Sequence, residues 1–318
     1  MKTLRYIFPA LAISAMSLTS CLHKDLDTEL YHRVNVNVIF DWQNAPDANP
    51  TSMLTYFYHE GDDALVFTFP GGEGGEVSIP SGTYNGVSLN GDISDWASMR
   101  NMDDPESFEI YTKNAEQLEG YGLSSRSLPR AEGAENERMA MTPKMLWSDR
   151  SDNIDIPAYS DKDIYITFTP CDNLCRYTVD ILHVNNMEYL HGASVDATLS
   201  GMAESALIGK GETGETPVTM PFLLTPDSSA KSLHSEYLTF GECNTNKVPH
   251  YLTVYLYLTD GTKWYKTFDV TGQVTDAPDP KNVHIVIDGL ELPKPITGSG
   301  GFVPDVNEWN DIRIDIPM

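Results

Sequence analysis

The stretch YLTVYLYLTDGTKWYKTFDV, residues 251–270, decides the fold class of this chain. Two runs rich in β-branched and aromatic residues flank the Asp-Gly pair at 260–261. Such a pair between strand-like runs is a strong signal for a β-hairpin with a two-residue type I′ turn. That turn sets Tyr257 opposite Trp264. The stretch therefore predicts an antiparallel hairpin with one aliphatic face and one aromatic face.

Three rings of the aromatic face are the first candidate contact residues of the chain: Tyr255, Tyr257 and Trp264. Rings on a sheet face stack on sugars or pack against partners, but aromatic cross-strand pairs also stabilise ordinary sheets. The sequence favours packing within the sheet, and contact with a partner protein or a glycan is the alternative. The aliphatic face is predicted to lie on the core.

Short strands with dense turn signals continue through the rest of the chain. Residues 34–42 alternate apolar and polar side chains with the period of two that a half-buried strand requires. The last alternating run has Ile312, Ile314 and Ile316 as its apolar set. The sequence contains no long amphipathic pattern and no internal repeat. It therefore predicts an all-β chain, most simply two tandem β-sandwiches.

A pinched segment at residues 171–175 predicts the boundary between the two sandwiches. The first domain then covers residues 31–172 and the second covers residues 173–318. Within the first domain, the polar segment at 120–142 lacks any strand or helix pattern. It is predicted to be a long exposed loop.

The first residues of the chain predict export. A basic start precedes an apolar run at 6–16 that is too short for a permanent transmembrane helix, as in a signal peptide over residues 1–20. The stretch LTSC at 18–21 resembles the lipobox of bacterial lipoproteins. This resemblance implies cleavage before Cys21, lipidation of its thiol and acylation of the new amino group, so that residues 21–30 become a tether. The acidic tether resembles the signal that sends Bacteroidetes lipoproteins to the outer face of the outer membrane.

Composition and motif content exclude several classes of function. The net charge of −25 at pH 7 repels phosphate backbones, which excludes nucleic-acid binding. The histidines stand singly, and no Cys-x-x-Cys or His-x-His spacing indicates a metal site. No nucleophile elbow and no specific carboxylate pair stands out. The sequence therefore predicts a protein that is not an enzyme and carries no cofactor.

Three cysteines remain once Cys21 is assigned to the lipid: Cys171, Cys175 and Cys243. An exported protein meets an oxidising compartment, where a disulfide between Cys171 and Cys175 across a short loop would persist. The alternative is that all three are buried structural thiols.

Further stretches carry a family resemblance that extends over the whole mature chain. LSGM at 199–202, DVT at 269–271 and GFVPD at 301–305 followed by Trp309, together with the lipobox and acidic tether, resemble the FimB-type fimbrial anchor lipoproteins of Bacteroides and relatives. The resemblance implies two transthyretin-like or Ig-like β-sandwich domains. It also implies that the chain anchors or caps a fimbria at the outer membrane, with fimbrial subunits as partners. Stalk relatives polymerise by strand exchange, a form of β-augmentation.

The C-terminal alternation at 311–317 then has two interpretations. It is either a strand donated to the next subunit through Ile312, Ile314 and Ile316, or the last strand of its own sandwich. A competing function from another class is a glycan-binding surface lipoprotein that works with a nutrient-uptake system. That function would use the aromatic face of the hairpin.

Overall fold

β-Strands make up most of the computed structural model, which describes residues 33–294 and 309–312. The predicted all-β fold is confirmed. The described residues form 21 strands, one short helix, α1 (Thr271–Thr275), and three 3₁₀ turns. The predicted signal peptide, the lipidation site Cys21 and the tether all precede residue 33, outside the described residues.

The strands fall into four sheets. In chain order, the first eleven strands are β1 (Arg33–Phe40), β2 (Ser52–Tyr58), β3 (Leu65–Pro70), β4 (Gly74–Pro80), β5 (Gly82–Asn90), β6 (Ala97–Arg100), β7 (Glu109–Thr112), β8 (Arg138–Met139), β9 (Trp147–Ile156), β10 (Ile164–Phe168) and β11 (Cys171–Asp172). The last ten are β12 (Cys175–Asn185), β13 (Val195–Ala203), β14 (Ser205–Leu207), β15 (Glu212–Thr213), β16 (Pro217–Asp227), β17 (Ser232–Thr239), β18 (Tyr251–Tyr257), β19 (Lys263–Asp269), β20 (Asn282–Glu291) and β21 (Trp309–Asp311).

The first sandwich packs a three-stranded sheet of order β10-β1-β4 on a five-stranded sheet of order β11-β9-β5-β2-β3. The alternation in β1 buries Val36 and Val38, as the period of two predicts. They pack in one core with Phe57 of β2 and Phe168 of β10, none of them more than 1% exposed. Each such side chain contributes about 1.5–3 kcal/mol through burial.

The second sandwich is one nine-stranded sheet folded over its own core. The order is β20-β12-β17-β16-β13-β18-β19-β21, and β8 pairs with β16 beside this path. Strand β16 joins the two layers, because residues 217–224 pair with β13 whereas residues 225–227 pair with β17. Buried side chains from both layers form a single apolar cluster, for example Val179 of β12 and Val254 of β18.

The two sandwiches share a sheet and a core. The four-stranded sheet β15-β14-β7-β6 takes β6 and β7 from the first half of the chain and β14 and β15 from the second. A mixed apolar cluster lies beside it, with Trp96 and Phe108 packed together with Ile208 and Phe240. The predicted boundary at residues 171–175 falls between β11 and β12, but the two halves pack continuously across it, and β8 of the first half pairs with β16 of the second sandwich.

Ion pairs reinforce the shared sheet. The Glu204 carboxylate accepts hydrogen bonds from Arg138 at 2.9 Å and from Arg100 at 3.3 Å. Arg100 also binds Glu109 through two guanidinium nitrogens, at 2.5 and 2.6 Å. Because Glu204 lies in the second half of the chain and its partners lie in the first, this network ties the halves together.

The segment at 113–141, which we call the strap, lies across the outer face of β13 and β18. The prediction of a long exposed loop at 120–142 is wrong, because Leu128 and Met139 are buried against Tyr255 of β18, as is Leu118 just before the loop. These apolar residues escape sequence patterns because the strap is mostly irregular and lacks a period. The strap therefore covers part of the hairpin face that the sequence offers as a contact surface.

Two carboxylates hold the strap in place. Asp196 of β13 accepts hydrogen bonds from the backbone N–H groups of Gly120 and Tyr121, both at 2.9 Å. Glu137 of the strap accepts hydrogen bonds from the Gly201 N–H at 3.0 Å and from a threonine hydroxyl of β16 at 2.8 Å. Burial raises the pKa of both carboxyls. A Cβ atom at residue 120 would lie 2.8–2.9 Å from the Asp196 carboxylate, so this close approach requires glycine.

The hairpin β18–β19 is present, but its predicted register is wrong by one residue. Tyr257 lies opposite Lys263, and Trp264 lies opposite Leu256. The turn is a three-residue loop. It is closed by a hydrogen bond that the Leu258 N–H donates to the Thr262 carbonyl at 3.0 Å. Gly261 takes a positive φ of 84° whereas Asp260 does not, and a type I′ turn would need both. A shift of one residue moves Trp264 to the other face of the sheet.

The predicted disulfide between Cys171 and Cys175 is also wrong in this structure. Both residues are free thiols, as is Cys243. Cys171 lies in β11 opposite Ser148 of the first sandwich, whereas the buried Cys175 begins β12 opposite Thr239 of the second. The two neighbouring strands therefore direct the two thiols into different sheets.

Candidate functional site

The C-terminal edge of the nine-stranded sheet is the candidate site. Strand β21 pairs in parallel with β19 over three residues, from Trp309 opposite Lys263 to Asp311 opposite Tyr265. The Ile312 N–H extends the pairing by donating to the Tyr265 carbonyl at 3.1 Å. Strand β21 is the outermost strand at this end of the sheet.

Side chains on both faces dock β21. The ring of Trp309 meets the ring of Tyr255 edge-on, with centroids 5.4 Å apart and planes at 71°. On the other face, Ile312 packs against the core of the second sandwich, and its carbonyl accepts a hydrogen bond from Lys266 Nζ at 2.6 Å. Strand β21 is therefore short, but side-chain contacts on both of its faces fix its position.

The opposite edge of the same sheet, strand β20, is capped by a side chain. Gln273 of α1 donates from Nε2 to the Val286 carbonyl at 3.1 Å. The Val286 N–H donates to Gln273 Oε1 at 2.7 Å. One amide thus makes both hydrogen bonds that a residue of a neighbouring strand would make. Such a cap protects an edge against pairing with another chain.

The aromatic residues predicted as one contact surface do not form one. Tyr255 is fully buried, and its hydroxyl donates to the Pro129 carbonyl of the strap at 2.8 Å. Burial raises the pKa of Tyr255 to about 12. Tyr257 is half-buried beside Tyr121 of the strap, and Trp264 lies on the opposite face of the sheet, against the core. An exposed stacking platform built from these three residues is therefore absent.

Of the predicted donor-strand residues, only Ile312 is described. It directly follows β21 and contacts its own sandwich. Ile314 and Ile316 lie outside the described residues.

Sequence reasoning missed Gln273 and the strap contacts. Gln273 sits in a helix of five residues with no amphipathic pattern. A side-chain amide that imitates a strand leaves no periodic signal, so only the structure identifies this cap. The ring contact between Trp309 and Tyr255 joins residues that are distant in sequence, and a local hairpin pattern does not predict such a contact.

Residues 33–294 and 309–312 contain neither a candidate metal site nor a candidate membrane-spanning helix. No group of three or more His, Cys, Asp or Glu side chains there is arranged to hold a metal ion. Over the same residues, no helix has the length and apolar character needed to span a membrane.

Comparison with known proteins gives relatives of similar architecture. A protein of Bacteroides ovatus (strain ATCC 8483) that is named a fimbrium anchoring subunit, Fim4B, is 24% identical over the full length of both chains. The resemblance to fimbrial anchor proteins predicted from the sequence is thereby confirmed. A crystal structure of another Bacteroides ovatus protein, described as an adhesin, is 20% identical and gives a TM-score of 0.60. That match covers 87% of this chain and 99% of the other.

A third similarity is weaker. The fimbrial anchor protein Mfa2 from Porphyromonas gingivalis is 12% identical, gives a TM-score of 0.48 and covers 79% of this chain and 90% of its own. None of these names is that of an enzyme. A family model described as a domain of unknown function (DUF5119) matches residues 20–223, which is more than half of the chain. This chain therefore belongs to the DUF5119 family.

Proposed function

We propose that this chain is a non-enzymatic surface lipoprotein that anchors a fimbria or adhesive appendage, and that it binds the next subunit through the β19–β21 edge. The observation that carries the proposal is the contrast between the two edges of one sheet. Gln273 caps β20, whereas the other edge ends in a three-residue strand. The full-length similarity to a protein named for fimbrium anchoring supports the class of partner.

The shortness of β21 favours exchange. Each backbone hydrogen bond stabilises by about 1 kcal/mol net, so a pairing over three residues is replaced at low cost by a longer partner strand. The alternating residues at 312–316 continue from β21 and supply the pattern of a strand that enters a neighbouring sheet. In this proposal, residues from 309 onward contact the next subunit. They either enter the sheet of that subunit as a donated strand or stay in place and pair with one of its strands.

Attachment is assigned to the other end of the chain. In this proposal Cys21 carries the lipid, the acidic tether directs the protein to the outer face of the outer membrane, and the first sandwich stands nearest the membrane. Two or more acyl chains give stable membrane attachment. A Cys21→Ala variant should release the protein and its appendages into the medium, which immunoblotting of cells and supernatant measures. Appendages that stay on the cell would contradict the lipid anchor.

Deleting residues 309–318 tests the binding edge. Recovery of the fimbrial subunit with the tagged protein from detergent-solubilised cells should fall below about a tenth of the wild-type amount, the loss expected when about 1.4 kcal/mol or more of binding free energy is removed. Export should stay normal. An unchanged recovery would contradict the proposal.

A matched pair of point variants separates strand pairing from general damage. Ile314→Asp places a charge on the apolar side of the alternation, and Arg313→Ala changes its polar neighbour. We expect the first to lower subunit recovery and the second to leave it near the wild-type amount. Equal effects would point away from an alternating strand contact.

The competing glycan-binding function through Tyr255, Tyr257 and Trp264 receives no support from their placement. Sugar stacking needs an accessible ring face, but Tyr255 is buried under the strap and Trp264 faces the core.

A further inference from the structure

A cleft of about 400 Å³ lies between the strap and the adjoining strands β16 and β17. Its strap wall carries Glu116 and Glu119, and its opposite wall carries Glu236 of β17. The apolar part includes Phe222 of β16 and Tyr237 of β17. The cleft is separate from the β19–β21 edge, because β13 and β18 intervene in the sheet order.

The charges around this cleft are of one sign. Glu116 and Glu119 are exposed, and neither makes a side-chain hydrogen bond or an ion pair among the described residues. Glu236 pairs with Arg176, which does not line the cleft. Burial raises the pKa of Asp196 at the cleft wall, and the charge of Glu119 raises it further. No lysine or arginine is among the lining residues, so no cation of the cleft wall balances Glu116, Glu119 or Asp196. Of these carboxylates, Glu236 alone has a basic partner among the described residues, Arg176.

The apolar wall is built from stacked rings. Phe222 and Tyr237 lie with centroids 4.1 Å apart and planes at 14°. The Tyr237 hydroxyl is buried and has no hydrogen-bond partner among the described residues. A buried polar atom without a partner is destabilising, so this wall is not a fully satisfied piece of core.

We propose that this cleft binds a basic segment of a partner polypeptide, with the aliphatic stem of an arginine or lysine on the Phe222–Tyr237 wall and its charged head among Glu116, Glu119 and Glu236. Long cationic side chains suit such a site because they combine an apolar stem with a charged end. Charge complementarity of this kind also speeds association.

A neutral glycan fits the cleft less well. The two rings stack on each other, so their facing surfaces are closed to a sugar, whereas a narrow aliphatic stem needs contact with only one ring edge. A neutral ligand also gains nothing from several carboxylates of one sign, whereas a cation relieves their repulsion.

The test uses the full-length mature chain and a capped tri-arginine peptide, with a capped tri-glutamate peptide and a neutral maltooligosaccharide as comparison ligands. Binding is measured by isothermal titration calorimetry at low salt and at physiological salt. Of the three ligands, we expect only the tri-arginine peptide to bind. Its affinity should be lower at physiological salt than at low salt. The double variant Glu116→Gln, Glu119→Gln should weaken binding about tenfold.

A matched control makes the result specific. Glu60→Gln with Glu73→Gln removes the same charge from exposed turns of the first sandwich and should leave affinity within about twofold. Equal losses in both double variants would show binding by net charge and overturn the proposal. Binding of the maltooligosaccharide that depends on Glu116 and Glu119, without peptide binding, would also overturn it. The deletion of residues 309–318 leaves every named cleft residue in place, so this site and the proposed β19–β21 edge fail independently.

Discussion

The two ends of the nine-stranded sheet are finished in opposite ways. Strand β20 is ten residues long and is capped at its middle by the Gln273 amide. Strand β21 is three residues long and is held by one aromatic contact and a few hydrogen bonds. Since exposed edges invite pairing with other chains, the proposed assembly would use the end of the sheet that has no such cap. Edge protection is therefore as informative about binding as an exposed patch.

The largest effect is expected where β21 meets the hairpin. Trp309→Ala removes the ring that packs on Tyr255, which should destabilise the docking of β21 by about 2 kcal/mol. Faster hydrogen exchange at residues 309–312 measures this loss. Trp309→Phe keeps an aromatic contact and serves as the control, with a smaller increase. Unchanged exchange in the alanine variant would mean that the ring contact does not hold the edge.

The capped edge should respond in the opposite sense. Gln273→Ala removes two hydrogen bonds, which should expose the β20 backbone at a cost of about 1–2 kcal/mol and allow two copies to pair there. Light scattering after gel filtration should then detect a dimer that grows with concentration. Gln273→Glu retains an acceptor for the Val286 N–H and should remain closer to the wild type. A strictly monomeric alanine variant would mean that Gln273 does not guard this edge.

The smallest effect concerns the strap, through Asp196. Burial raises the folded-state pKa of this carboxyl above its ordinary value of 3.8. Between these two values the folded chain keeps a proton that the unfolded chain has released. The stability contributed by this group is therefore lost as pH rises through that window. The advantage of the wild type over Asp196→Asn in the free energy of unfolding should shrink over the same range, as urea titrations at several pH values would measure. An advantage that grows with pH would contradict this assignment.

Elements with strong local signals are predictable from the sequence. The alternation in β1 and the paired runs around residue 260 predict strands where the structure has them. The register of the hairpin is not predictable in the same way. The Asp-Gly pair suits both a two-residue and a three-residue loop, and only the backbone of Asp260 distinguishes them.

Features that depend on distant residues lie beyond the sequence. The strap has no period, so the burial of Leu118 and Met139 follows only from their contact with Tyr255. Strands β7 and β14 pair across a long stretch of intervening chain, which no local pattern encodes. The candidate site combines both cases. Its alternating residues are visible in the sequence, but the capped and short edges that single it out are not.

Site-specific photo-crosslinking at the two edges tests the central claim most directly. Benzoylphenylalanine replaces one exposed aspartate at each end of the sheet, Asp311 of β21 or Asp288 of β20, in cells that assemble the appendage. We predict a crosslink to the fimbrial subunit from residue 311 and none from residue 288. A crosslink from residue 288 alone, or from neither residue in cells that carry intact appendages, would contradict the proposed binding edge.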